Sequence, residues 1–179
     1  MAKHIKTLVV YFSRSGQTAR VAELVAHHLN AETKEEITEV QSRRGPVGYI
    51  RSAWEAMVGS SPSITSPLVD PSDYQLVVLA CPVWMSRMAS PMRTYLIKME
   101  NHLPKVALVV TEGGSGGHRV LMQMRELTRK TPLAELVLSE DEIAKASHLT
   151  KIKLFCDKLV QQFEKELSPI SVPMKSATP

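Results

Sequence analysis

The sequence contains few cysteines, few aromatic residues and no long apolar run. Only two of its 179 residues are cysteine, and 5% are aromatic. No segment approaches the roughly 20 consecutive apolar residues of a membrane-spanning helix, and residues 1–5 lead directly into the first apolar segment without the pattern of a signal peptide. Cys81 and Cys156 lie in apolar segments, which is typical of reduced thiols rather than of a disulfide framework. We therefore expect a cytoplasmic protein that does not enter a membrane.

Clusters of basic residues are also missing, although the formal net charge is +4. The lysines and arginines are dispersed and little interleaved with aromatic residues, so we expect no nucleic-acid partner. Two common nucleotide-binding signatures are absent as well. The chain has no Gly-x4-Gly-Lys-(Ser/Thr) segment, and no Gly-x-Gly-x-x-Gly segment follows the first apolar run. We expect no metal site, because the adjacent His27 and His28 would point in different directions on a helix.

Apolar segments of strand length alternate with amphipathic segments of helical length along the chain. Continuous apolar strands separated by helices predict a parallel sheet covered on both faces. We therefore predict a doubly wound α/β domain of three layers, α/β/α, with a five-stranded parallel sheet. It spans residues 1–167, and residues 168–179 form a loosely ordered tail. The predicted strands are 7–12, 31–37, 76–80, 106–110 and 133–138, and the predicted helices are 18–29, 49–58, 91–99, 119–128 and 148–167.

The strongest local signal follows the first predicted strand. Residues 13–18 contain three hydroxyl side chains and one glycine, and the next predicted helix starts at their end. Backbone N–H groups at a helix start, together with the helix dipole, favour an anion. A helix cap without a ligand is the alternative, and Arg14 either contacts the anion or faces solvent. The segment predicts a phosphate-binding loop that comprises Ser13, Arg14, Ser15, Gly16, Gln17 and Thr18.

Two further loops follow the predicted strands at 76–80 and 106–110. In a parallel sheet these loops meet the phosphate loop at the carboxyl edge. One of them carries Trp84, whose face could cover a flat ring, and the other is rich in glycine, which lets the main chain approach a ligand closely. The three loops together fit a ligand with a phosphate at one end and a flat ring at the other. The two loops contain Pro82, Val83, Trp84 and Met85, and Thr111, Glu112, Gly113, Gly114, Ser115, Gly116 and Gly117.

The three loops resemble those of the flavodoxin-like family, whose cofactor is flavin mononucleotide (FMN). Residues 13–18 match its (Ser/Thr)-x-(Ser/Thr)-Gly-x-Thr phosphate loop, residues 82–84 its loop against the isoalloxazine ring, and residues 111–117 its third loop. The resemblance covers residues 6–163, and Arg-Gly-Pro-Val-Gly-Tyr at 44–49 is similar to a segment of short members of the family. It implies a flavodoxin-like fold with FMN bound non-covalently at the loop residues named above. It assigns no catalytic residue.

The resemblance implies redox chemistry but leaves the partner open. The protein either relays electrons through FMN to a redox partner protein, or is an NAD(P)H-dependent quinone or FMN reductase with a small-molecule acceptor. A flavin-free interaction domain is a third reading, with the long segment 38–71, here called the flap, and the tail as contact surfaces. A homodimer is also possible, and Tyr49 or Trp54 of the flap could supply a second aromatic contact to the flavin.

The net charge differs from that of most carrier flavodoxins, which are acidic, whereas this chain is basic. Positive charge near the ring would raise the reduction potential of the flavin.

One competing motif has a different chemistry. Residues 81–87 have the Cys-x5-Arg spacing of the tyrosine-phosphatase loop, in which a thiolate attacks phosphorus and arginine holds the oxygens. Here Pro82 removes one of the amides that such a loop needs, and no glycine follows Cys81 before Arg87. The pattern therefore favours Cys81 as a small apolar residue at the end of a buried strand.

Overall fold

The structure, a computed structural model, describes residues 4–31, 33–39 and 62–167. Five parallel strands form a sheet in the order β2-β1-β3-β5-β6, and a short strand β4 pairs antiparallel with the end of β3. The strands are β1 (Thr7–Tyr11), β2 (Thr33–Glu36), β3 (Leu76–Trp84), β4 (Arg87–Met88), β5 (Lys105–Glu112) and β6 (Glu135–Ser139). The helices are α1 (Gln17–Leu29), α2 (Ser90–Met99), α3 (Gly117–Thr128), α4 (Glu140–Ala144) and α5 (His148–Leu167).

The central strands are apolar throughout because helices cover both faces of the sheet. Alternate residues of each strand enter two separate cores. Leu8 and Val10 of β1 face the core with α2 and α3, whereas Val9 between them faces the core with α1 and α5. Each fully buried aliphatic side chain contributes about 1.5–3 kcal/mol relative to an exposed one. This packing confirms the predicted doubly wound α/β architecture.

Helix α5 shows how directly an apolar stripe determines a helix. Its residues Ile152, Phe155, Leu159 and Phe163 are spaced by three or four positions and are all buried against the sheet. The predicted bounds of 148–167 are those that the structure has.

The predicted strand at 31–37 is shorter in the structure, because β2 covers only Thr33–Glu36 at the sheet edge.

The structure corrects the predicted ends of two strands. Strand β3 continues four residues beyond 80, so Pro82, Val83 and Trp84 belong to a strand and not to a loop. Two partners extend it: β5 pairs with β3 up to Pro82, and β4 pairs with Val83 and Trp84. Proline is tolerated there because the pairing with β1 ends at Ala80 and leaves one side of β3 without a partner strand. Strand β5 likewise includes Thr111 and Glu112, which were predicted to lie in the third loop.

Helix α4 is an element that the hydrophobic pattern did not indicate. It has only five residues, and its start is stabilised by a capping box. The hydroxyl of Ser139 accepts a hydrogen bond from the Glu142 N–H, and the Glu142 carboxylate accepts one from the Ser139 N–H, at 3.2 and 2.9 Å. This cap fixes the direction in which the chain leaves β6.

Several predictions fall on parts of the chain outside the described residues. They are the helix at 49–58, the segment 44–49 with Tyr49, the side chain of Trp54 and the tail at 168–179. The boundary between domain and tail therefore stays a prediction. Within the described ranges, no helix combines the length and the apolar character that crossing a bilayer requires. The same ranges hold no group of three or more His, Cys, Asp or Glu side chains arranged to bind a metal.

Edge strand β2 places one carboxylate against the core. Glu35 is 8% exposed, and its Oε1 accepts a hydrogen bond of 2.7 Å from the Leu68 N–H. Its Oε2 and the hydroxyl of Tyr95 are both buried and have no hydrogen-bond partner among the described residues. Burial raises the pKa of Glu35 by more than the Leu68 hydrogen bond lowers it. The pKa of Tyr95 is raised as well, mainly by burial and further by the charges of Glu35 and Asp70.

We predict that Glu35→Gln stabilises the protein at neutral and higher pH. With a raised pKa the folded state retains a proton that the unfolded chain has released, so wild-type stability falls as the pH rises from the unfolded to the folded pKa. Glutamine keeps an acceptor for Leu68 without a buried charge, and should add on the order of 1 kcal/mol. Urea unfolding at about pH 5 and about pH 8 measures the effect. A gain that does not grow with pH, or an equal gain from the exposed neighbour Glu36→Gln, would contradict the explanation.

Candidate functional site

A pocket of about 490 Å³ opens at the carboxyl edge of the sheet. Four strands end beside it, and their following residues form its walls, as expected for an open α/β sheet. Its volume lies in the range of about 300–1,000 Å³ that is usual for cofactor sites. The residues that line it are Arg14, Ser15, Gln17, Thr18, Pro82, Val83, Trp84, Met85, Thr111, Gly113 and Glu140.

The start of helix α1 forms one wall. Gly16 precedes the helix with a φ of 87°, a left-handed conformation that glycine adopts without strain. The hydroxyl of Ser13 in the same loop is buried and has no hydrogen-bond partner in the described part of the chain. An anion bound here would accept hydrogen bonds from this hydroxyl and from the N–H groups at the start of α1.

A hydroxyl pair joins this wall to strand β5. The Oγ atoms of Thr18 and Thr111 are 2.8 Å apart, and both residues are buried. Because a hydroxyl has one proton, one of the two donates to the other, and the acceptor keeps its own proton for a further hydrogen bond. The pair therefore joins α1 to β5, and one of its hydroxyls keeps a proton that it can donate to a ligand.

Trp84 at the end of β3 forms an aromatic wall. Its ring packs edge-on against Phe12, with centroids 5.2 Å apart and planes at 85°. Met85 and Ser86 then connect β3 to β4 with φ values of 48° and 58°. Positive φ at both positions defines the tight hairpin turn that normally selects Asn-Gly. Non-glycine residues there store backbone strain on the order of 1–3 kcal/mol each, and Met85 remains 64% exposed at the pocket.

The glycines of the third loop have different surroundings. Only Gly113 of the four lines the pocket. A Cβ on Gly116, whose φ is 109°, would stand 2.8 Å from the Ser86 Cα, and a Cβ on Gly117 would stand 2.5 Å from Val137. The Gly117 N–H also donates to the Glu112 carboxylate at 2.6 Å. Gly116 and Gly117 thus let the loop pack tightly against protein.

The pocket brings together ten of the residues predicted from the three loops. The remaining predicted residues lie beside it without forming its surface: Ser13, Gly16, Glu112, Gly114, Ser115, Gly116 and Gly117. One lining residue, Glu140, was not predicted. The predicted topology contained a signal for it, because the strand at 133–138 would end at the same edge as the other strands, and β6 does so.

The cysteine of the phosphatase-like spacing is outside the pocket. Cys81 is fully buried, and its thiol donates a hydrogen bond of 3.3 Å to the Pro82 carbonyl. Burial raises the pKa of this thiol to about 12, so the thiolate that phosphoryl transfer requires does not form near neutral pH. Its burial agrees with the expectation of a small apolar residue, but Cys81 lies inside β3, three residues before the end of the strand.

The comparisons with known proteins agree with this geometry. A family model described as Flavodoxin matches residues 6–155, and a search of the curated proteins found no match. The chain is similar to the crystal structure of a flavoprotein from Lactobacillus acidophilus NCFM in complex with FMN. The two share 26% identity over 80% of this chain and 99% of that chain, with a TM-score of 0.62.

Two more distant structures share the fold. A protein from Bacteroides uniformis ATCC 8492, described as a flavoprotein, is 22% identical over 83% of this chain and 99% of that chain, with a TM-score of 0.66. A flavodoxin from the domain Archaea is 14% identical over 89% of this chain and 99% of that chain, with a TM-score of 0.57.

We predict that Gly116→Ala destabilises the protein by about 1–3 kcal/mol, because its Cβ would collide with the Ser86 backbone and its φ is left-handed. Gly114→Ala in the same loop is the matched control, since a Cβ there meets nothing within 4 Å. Chemical unfolding of both variants measures the difference. Equal stability of the two variants would show that the contact between the loop and the turn does not constrain Gly116.

Proposed function

The chain belongs to the flavodoxin family, and on this basis we propose that it binds FMN non-covalently in the pocket and transfers electrons through it. The observation that carries the proposal is the pocket itself. It joins the start of helix α1, an anion-binding feature, to the indole of Trp84, a wall for a flat ring. The flavoprotein from Lactobacillus acidophilus that contains FMN supports the same ligand.

The residues at the α1 end fit a phosphate group. The buried hydroxyl of Ser13 has no partner within residues 4–31, 33–39 and 62–167, and the Thr18–Thr111 pair retains one proton to donate. Ser15 and Arg14 line the pocket on the same loop and add a hydroxyl and a positive charge. Hydroxyl and N–H donors hold a phosphate dianion by charge-assisted hydrogen bonds, which are the stronger class.

The residues at the β3 end fit the flavin ring. Trp84 is held by Phe12, so it presents a preorganised aromatic surface, and Val83 and Met85 extend the apolar wall. When bound, the flavin supplies the electron chemistry, and the protein orients it and controls its surroundings. The exposed Met85 leaves this end of the pocket open to a partner molecule.

The pocket favours electron relay over a reductase. Among its lining residues in the described part of the chain, only Arg14 and Glu140 are ionisable. The described lining thus offers no histidine, cysteine, tyrosine or lysine, and electron relay through the flavin requires none of them. We propose a redox partner protein or a small-molecule acceptor as the second reactant, in an intracellular compartment.

We predict that the purified protein binds FMN more tightly than riboflavin, and that Ser15→Ala removes part of this difference. Loss of a hydrogen bond to the phosphate should weaken FMN binding by about 1–3 kcal/mol and leave riboflavin binding unchanged. Titration monitored by flavin fluorescence gives both affinities. Ser115→Ala removes an exposed hydroxyl that does not line the pocket and is the control. Failure of the wild type to bind FMN would favour the flavin-free interaction domain.

We also predict that the FMN-loaded protein, once reduced chemically, passes electrons to an added one-electron acceptor such as cytochrome c. It should not oxidise NADH or NADPH steadily in the presence of a quinone, because an electron relay takes its electrons from a redox partner rather than from a nicotinamide. Anaerobic stopped-flow absorbance follows the first reaction, and nicotinamide absorbance follows the second. Steady nicotinamide oxidation above the rate with free FMN would establish the reductase alternative instead.

A further inference from the structure

The short helix α4 brings a carboxylate into the pocket from outside the three loops. Glu140 is the first residue of α4 and follows β6 directly. Strand β6 pairs with β5 up to Glu112 and Ser139, so the two strands end level with each other. A Cβ on Gly113 would lie 3.5 Å from the Glu140 Oε2. The carboxylate therefore lies over the start of the third loop.

Glu140 is distant from the anion-binding end of the pocket. The loop that carries Ser13 and Ser15 follows β1, and β6 lies three strand spacings away in the order β1-β3-β5-β6. Three spacings amount to about 14 Å across the sheet. The carboxylate consequently faces the uncharged part of a ligand whose phosphate lies at α1, rather than the phosphate.

The neighbouring carboxylates already have partners. Glu112 accepts a hydrogen bond from the Gly117 N–H, and Glu142 accepts one from the Ser139 N–H and pairs with Lys151. Glu140, in contrast, makes no hydrogen bond or ion pair with any of the described residues. Of the acidic groups at this edge, it is the one that lines the pocket and can accept a hydrogen bond from a ligand.

We propose that Glu140 is a further flavin-binding residue, which accepts a hydrogen bond from the uncharged part of FMN and makes its reduction less favourable. The inference rests on the proposed function. An ionised carboxylate can accept hydrogen bonds but cannot donate them. The uncharged part of FMN offers matching donors, namely the ribityl hydroxyls and a ring N–H. Reduction by two electrons with uptake of one proton adds a negative charge to the flavin, and a nearby carboxylate opposes that charge.

Binding of phosphate-free flavins tests the hydrogen bond. Glu140→Ala should weaken riboflavin binding about tenfold, the loss expected for one hydrogen bond to a charged group. Asp141→Ala is the matched control, because Asp141 is exposed like Glu140 and lies in the same first turn of α4 but does not line the pocket. Both variants lose one acidic group at the helix start, so the effect on the stability of α4 is the same in both. A difference between their riboflavin affinities therefore measures the contact that Glu140 makes in the pocket.

Lumiflavin, which lacks the ribityl chain, extends the same titration. A loss for both riboflavin and lumiflavin supports the proposal with a ring N–H as the donor, and a loss for riboflavin alone supports it with a ribityl hydroxyl. Equal riboflavin affinities of the Glu140→Ala and Asp141→Ala variants would overturn it. If wild-type protein binds no flavin at all, the proposed function fails before this comparison begins.

The midpoint potential of bound FMN tests the charge independently of activity. Reduction with dithionite against a reference dye should show a less negative potential for Glu140→Gln than for wild type. Asp141→Asn, which removes the same charge outside the pocket, should give a smaller shift. A shift of equal size in both variants, or one toward more negative potential for Glu140→Gln, would overturn the role assigned to Glu140.

Discussion

Parallel pairing between neighbouring strands determines where every part of the pocket lies. Strand β3 pairs with β1 from Leu76 to Ala80 and with β5 from Leu76 to Pro82, and β6 continues the sheet on the far side of β5. Because all these strands run in one direction, the residues that follow them emerge at one edge. Loops as distant in sequence as Ser15 and Glu140 therefore share one pocket, and the apolar cores on both faces hold them there.

Tight packing behind the pocket stabilises a turn that would be unfavourable alone. Met85 and Ser86 both have positive φ, although neither residue is suited to this conformation. The third loop supports the turn at Gly116, where nothing larger than hydrogen fits against the Ser86 backbone. Strained backbone of this kind persists only where surrounding contacts determine it, and it is common at functional sites. Gly116 thus contributes to the pocket indirectly, by fixing the turn that carries Met85.

The parts of the fold that sequence reasoning predicted are those with a strong local pattern. The apolar stripe of α5 is long and regular, and the hydroxyl-rich loop at 13–18 lies between an apolar run and a helix, so both were identified. The end of β3 was misplaced because Pro82 is usually a strand terminator, and only the tertiary pairing with β4 and β5 shows why it is tolerated. Glu140 was missed because the hydrophobic pattern did not indicate the short helix that it begins. Its place in the pocket depends on strand order, which no local pattern contains.

The net charge of the whole chain does not predict the charge distribution inside the pocket. A formal charge of +4 suggested a positive field at the flavin, yet the ionisable residues lining the described pocket are one arginine at the α1 end and one glutamate at the opposite end. At physiological ionic strength the field of an exposed charge decays over about 8 Å, which is less than the distance between these two ends. The phosphate and the ring of a bound flavin would therefore experience opposite local charges. In the complex proposed here, Arg14 would favour the phosphate dianion and Glu140 would oppose charge added to the flavin, so affinity and potential could vary separately within one pocket.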